Sequence, residues 1–334
     1  MEYTIRKQPV YTIEAYPNVG KQIDEATFTK LKTKIEILRI LRHAEYHYAL
    51  IGQAYKNFEM SLFEVSFDIE HSNRSVRGIK WSGQQKIHIN LMAALNTMHT
   101  YLNNLQTSYI KDLKKSTKED LSEIENQLSI SRNNRIEYRV MRALRNCITH
   151  APYADIGGSI NSKVENKTDT ENSPWCRRCT SNPAIVIDLL IKNRSLEKKC
   201  KNDLTQMKQK GYDRFDVKFM LRGYIGEVAK IHDVFRKKTE SLFNDILTDL
   251  REVKMNIFGG AEIPPEVGIK LIKSGTKTSD RETYNITYEF HSRLKDKRQG
   301  WKRIGGEQNR YYSSEIIFGI NKYPQEDPKL WITD

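Results

Sequence analysis

No proline occurs between Pro17 and Pro152. Proline removes a backbone donor and clashes with the preceding helical turn, so a stretch this long without one can be helical almost throughout. Leu31, Ile35, Ile37, Leu38, Leu41 and Ala44 recur at helical spacing and predict a helix from about 24 to about 70. Residues 71–78 read as a connection. A second helix is predicted over roughly 84–112, where Ile87, Ile89, Leu91, Met92, Leu95 and Met98 are apolar. A third begins at an apparent cap, Ser116–Asp120, and runs to about Ile130. Residues 131–134 read as a turn, and a fourth helix is predicted over 135–150, ended by Pro152.

Outside this stretch the pattern changes. Residues 1–20 carry loose alternation and two prolines, and read as an N-terminal arm. Gly157-Gly158 and the polar run 162–174 read as a loop, and 183–192 as a strand passing into a helix. A long helix is predicted over about 215–255. Gly259-Gly260 and Pro264-Pro265 mark the clearest composition break, and Tyr284, Ile286, Tyr288, Phe290 and Ile316–Ile320 alternate beyond it. The expected organisation is an arm (1–20), a helical domain (21–258) and a small β-containing C-terminal region (259–334).

The net charge is +13, which creates a field that attracts polyanions. Nucleic acid is the commonest such partner, with an anionic membrane second and a generally solvated basic surface as the plain alternative. Aromatics reach 10%, against the composition of disordered chains. No run approaches the roughly 18 apolar residues that span a bilayer, and the first residues carry no signal-peptide core. A cytoplasmic protein without a membrane partner is expected. Four cysteines in 334 residues do not make a disulfide framework.

The 135–150 helix divides into two faces at about 100° per residue. Ile136, Val140, Leu144, Cys147 and Ile148 share one, which should pack on the core. Arg142, Asn146 and His150 share the other, with Arg139 beside them and Arg145 on the far flank. These groups suit RNA cleavage. An imidazole near its ordinary pKa can take a proton from the ribose 2′-OH or return one to the leaving 5′-oxygen. A guanidinium can bind the phosphorane's charge. Asn146 can orient the imidazole or bind phosphate. No metal or other cofactor is required. Arg145 and His150 point about 140° apart on one helix, and one helix offers one imidazole for two proton transfers. Two copies across a two-fold axis would supply both, so the chemistry favours a homodimer. The alternative is a helix end whose His150 caps carbonyls and interacts with the macrodipole.

The stretch from Glu137 to His150, followed by Ala151 and Pro152, resembles the signature of the HEPN superfamily: an arginine, a polar residue that is often asparagine, a few more residues, then histidine, late in a helix. Asn90–His99 is similar to an earlier helix in one bacterial group of that superfamily, although Cys147 stands where that group often has an aromatic. The resemblance covers about 85–160, and 20–84 loosely. It implies a mostly α fold, an up-and-down helical bundle, dimerisation through the motif helices and metal-independent endoribonuclease activity. It also implies a toxin or anti-phage defence role, with a possible antitoxin or regulatory protein partner. Carried onto this chain, Arg145 would hold phosphate, Asn146 would support it and His150 would be the acid or base. A non-catalytic RNA-binding scaffold or a nucleotide-sensing module of the same fold is the alternative.

Weaker signals remain. Arg42–His47 repeats the motif spacing and reads as a solvated helix face. Cys176 and Cys179 have zinc-knuckle spacing, with only Cys200 and His232 as remote further ligands, so an unliganded loop is the default. Arg177 and Arg178, beside Trp175, are candidate RNA contacts on that loop. Arg293, Lys295, Lys297, Arg298, Trp301, Lys302 and Arg303, followed by Tyr311 and Tyr312, could grip an RNA backbone or form a hairpin loop kept soluble by charge. Asp24, Glu25, Glu119 and Asp120 read as helix-start acids.

Overall fold

The computed structural model describes residues 10–15, 19–71, 76–117, 119–150, 158–165, 176–192, 196–258, 269–274, 282–286, 298 and 316–318. These are mostly helical. Two strands, β1 (Val10–Ala15) and β2 (Val19–Gln22), precede the helices α1 (Glu25–His71) and α2 (Val76–Asn104). A π-helical turn (Leu105–Tyr109) joins α2 to α3 (Ile110–Ser116), and α4 (Ser122–Asn134) and α5 (Ile136–His150) follow. Then come β3 (Gly158–Glu165), β4 (Cys176–Val186), α6 (Ile187–Ile191), α7 (Lys198–Gln209) and β5 (Arg214–Asp216). The last elements are α8 (Val217–Lys238), α9 (Glu240–Phe258), β6 (Ile269–Ser274), β7 (Glu282–Ile286) and β8 (Ile316–Phe318). No described helix is long and apolar enough to cross a membrane.

Local chemistry explains the helix ends. The Asp24 carboxylate accepts from the Thr27 amide (2.7 Å) and hydroxyl (2.8 Å), which starts α1 as an acidic cap. Asp120, one residue ahead of the α4 N-cap Leu121, accepts from the Ser122 amide at 2.9 Å. The third predicted helix therefore starts at Ser122 rather than Ser116, which instead closes α3. Ser131–Asn134 is not a turn but the last helical turn of α4.

The chain divides into two compact units, neither continuous in sequence. The first comprises Met1–Gln53, Leu95–Arg142 and Arg222–Asn309; the second comprises Ala54–Ala94, Ala143–Leu221 and Arg310–Asp334. In the first unit an antiparallel sheet of order β2-β1-β6-β7 joins the arm to the C-terminal region. Ile13 pairs with Leu271, and both are fully buried. Tyr284 of β7 meets Phe28 of α1 edge-on, with ring centroids 6.2 Å apart. In the second unit β4 pairs with β3, β5 and β8, all antiparallel. Of the expected features, residues 1–9, Pro17, Gly157, Trp175, Gly259-Gly260, Pro264-Pro265, Tyr288, Phe290 and Ile320 lie outside the described residues. So do the basic tail positions other than Arg298.

A polar group sits in the first unit's core. The Glu45 carboxylate is wholly buried and accepts from Arg236 Nη2 (2.6 Å) and Nε (3.0 Å). His232 Nε2 lies 3.1 Å from the same carboxylate, and its Nδ1 is 2.6 Å from the Tyr101 hydroxyl. The Tyr48 ring stacks on His232 at 3.8 Å. Burial raises the Tyr101 pKa well above its ordinary value, so Tyr101 keeps its proton and donates to Nδ1. His232, held below 6.5 by burial, is then a neutral Nε2–H donor to Glu45. Burial works to raise the Glu45 pKa, but the hydrogen bonds from His232 and Arg236 and the charge of Arg236 bring it down to about 2.

Two glycines mark close helix approaches. A Cβ on Gly83 would stand 2.8 Å from Val65 Cγ2, and one on Gly223 would stand 2.6 Å from Glu137 Cγ. Gly→Ala in an open helix adds about 1 kcal/mol. Gly83→Ala and Gly223→Ala are instead expected to cost about 1–3 kcal/mol each through overpacking, read by urea denaturation. Glu45 sets an acid limit. Its folded pKa of about 2 lies below the ordinary 4.5, so its contribution is full above 4.5 and is lost as pH falls toward 2. His232 adds in the same direction from 6.5 downward, because only the unfolded chain takes up its proton readily. Glu45→Ala should remove about 3–5 kcal/mol at neutral pH and flatten the stability–pH curve between 4.5 and 2.

Candidate nucleic-acid interface on the motif helix

The amphipathic pattern of α5 is carried into its burial. Val140 and Leu144 are fully buried, Cys147 and Ile148 nearly so, and Ile136 is half-buried. Tyr138 and Met141 join the buried side, with Tyr138 edge-on to Tyr224 of α8 at 5.2 Å. Arg142, Arg145 and Asn146 are half-exposed. Arg145 Nη1 donates to the Asn146 carbonyl oxygen at 3.2 Å. That bond holds the guanidinium against the neighbouring amide and leaves the Asn146 –NH₂ group for another acceptor. His150 is the last residue of α5, one turn beyond Asn146; its side chain lies outside the described residues.

Arg139 has a different role from its neighbours. Its guanidinium is buried, and Nη1 donates to the Asn133 carbonyl (2.7 Å) and the Arg132 carbonyl (3.3 Å) at the end of α4. It therefore closes orphan carbonyls of one helix from the next. It is fixed in the α4–α5 turn rather than offered to a substrate.

The start of α5 is further held by Glu227 of α8, which the sequence reading missed. Its buried carboxylate accepts from Ser131 Oγ at 2.9 Å and Lys230 Nζ at 2.7 Å, and Arg135 Nε lies 3.3 Å away. The available signal was a lone acid among Tyr224, Ile225, Val228 and Ile231, a position that demands a partner. Glu45, flanked by Leu41, Ala44 and Tyr48, shows the same signal.

The other sequence candidates are placed as follows. Arg177 and Arg178 lie in β4, not in a loop, paired in register with Val164 and Lys163 of β3 and with Phe318 and Ile317 of β8. They are consecutive strand positions, so one face carries one of them and not both. Their side chains lie outside the described residues. Cys176 and Cys179 also belong to this strand, which lacks the tight turn a zinc knuckle needs. His232 is committed to the Glu45 network and Cys200 is buried. In the second motif match Arg42 and His43 are exposed. His47 Nδ1 lies 2.5 Å from the Tyr109 hydroxyl, which the π-helical turn presents. Burial and then His43 lower the His47 pKa.

No family model, no curated protein and no solved structure matches this chain.

Because Arg139 is structural and Arg145 is half-exposed, two substitutions should separate. Arg139→Ala is expected to destabilise the fold by about 1–3 kcal/mol, the cost of orphaned carbonyls and a lost charged hydrogen bond. Arg145→Ala should stay within about 0.5 kcal/mol of the parent. Paired denaturation curves read both.

Proposed function

We propose that this chain is a HEPN-like, metal-independent endoribonuclease. The observation that carries the reading is the far half of α5. Leu144, Cys147 and Ile148 are buried, while Arg145 and Asn146 are half-exposed and bonded to each other one turn before His150. A half-exposed guanidinium steadied by an amide is suited to a phosphate oxygen.

In the proposed reaction a base removes the ribose 2′-OH proton, and the freed oxygen attacks the adjacent phosphorus. The 5′-oxygen leaves with a proton from an acid. The products are a 2′,3′-cyclic phosphate and a 5′-OH end. His150 serves as base or acid, and the other role falls to His150 of a second copy in a homodimer. Arg145 stabilises the pentacoordinate phosphorane, with Asn146 supporting it and Arg142 contributing charge along the same helix. The +13 surplus speeds RNA capture. The biological setting we infer is a toxin or anti-phage effector in the cytoplasm, held in check by an antitoxin or regulatory protein.

Purified protein incubated with total RNA and EDTA should yield fragments with 2′,3′-cyclic ends. Arg145→Ala/His150→Ala should reduce cleavage roughly 100-fold or more while leaving the melting temperature unchanged. Tight, salt-sensitive RNA binding without fragments would replace this reading with a non-catalytic RNA-binding module.

A further inference from the structure

The helical periodicity of 215–258 runs unbroken through residue 239, with Val228, Ile231, Phe235, Phe243, Ile246 and Leu250 buried on both sides of it. No glycine or proline lies between Gly226 and Gly259. Such a segment should form one helix, yet α8 ends at Lys238 and α9 begins at Glu240. Interruptions of a helix have identifiable causes, among them a side chain inserted into the hydrogen-bond ladder.

Two such causes meet here. Thr239, fully buried, turns its hydroxyl back to the Phe235 carbonyl at 2.8 Å, a bond that bends helices. The second comes from far along the chain. Arg298 is 5% exposed, and its Nη2 donates to the Arg236 carbonyl at 2.8 Å and to Glu240 Oε2 at 3.0 Å. Nη1 and Nη2 both reach the Thr239 hydroxyl at 3.3 Å. The guanidinium lies over the Phe243 ring at 5.0 Å, and Nη1 is 4.0 Å from Glu45 Oε1. Its Nε has no acceptor among the described residues. A carbonyl at a helix C-terminus, a carboxylate at the next N-terminus, a hydroxyl and an aromatic face together suit a planar cation.

We propose that the break between α8 and α9 is a guanidinium-binding socket, filled in cis by Arg298, and that its occupancy holds the break. The ligand class is an arginine side chain or a small guanidinium. Arg298 is thus an anchor of the C-terminal segment rather than part of an RNA grip. This proposal does not rest on RNA cleavage.

Amide exchange of peptides covering 236–243 tests this in the full-length protein. Arg298→Ala should exchange about tenfold faster or more, the loss of a charge-assisted hydrogen bond. Millimolar ethylguanidinium should restore protection in this variant and leave the parent unchanged. Arg298→Lys keeps the charge but lacks the fork, and should exchange at an intermediate rate. If Arg298→Ala does not fold, Arg298→Lys decides. The proposal is overturned if Arg298→Ala exchanges at the parent rate or slower, if ethylguanidinium fails to restore it, or if Arg298→Lys matches the parent.

Discussion

A carboxylate sealed in a helical core must be paired, and the pairing of Glu45 organises the first unit. An unpaired buried carboxylate is too costly to persist charged. Here it is satisfied by Arg236 and His232, 191 and 187 residues away in sequence. Tyr101 completes the other side of the imidazole. Three helices, α1, α2 and α8, therefore meet in one register. Apolar packing alone tolerates a sliding helix; a fork on a carboxylate with a histidine beside it does not. The net stabilisation from such a pair against well-packed apolar residues is small, whereas removing one partner is costly.

The register of α8 has consequences along its length. His232 and Glu227 are five residues apart on one rigid helix, so fixing the first fixes the second. Glu227 then meets Ser131 and Arg135 where α4 gives way to α5, and Gly223 admits Glu137 at close approach. Arg139 ties the same turn from the α5 side. The buried charge thus positions the start of the motif helix. The same helix ends against Arg298, which brings the C-terminal segment into the network.

Much of the helical architecture is legible in the sequence because helical periodicity is a local signal. The extent of α1, the two faces of α5 and the passage from β4 into α6 all follow from spacing. Long-range pairings do not. Nothing local in Val10–Ala15 announces Ile269–Ser274 as its partner, so the arm and the C-terminal region read as separate pieces. Nothing near Thr239 announces Arg298. The strand through Cys176 was hidden because a polar, cysteine-bearing stretch lacks apolar alternation, and β3 supplies its pairing instead. At the motif, the half-exposure of Arg145 and Asn146 was readable from the helical wheel. The fate of Arg139 was not, because its acceptors are backbone carbonyls of another helix.

The functional account asks that the imidazole at the end of α5 meet a phosphodiester. The most direct measurement is an NMR titration of the histidine ring signals, eight in all, with His150 assigned through His150→Gln. It is run with and without a 2′-deoxy oligonucleotide that binds but cannot be cleaved. A bound phosphate stabilises the imidazolium, so the His150 pKa should rise on saturation and its ring shifts should move. An unmoved His150, under a saturating oligonucleotide that shifts other residues, would contradict the account.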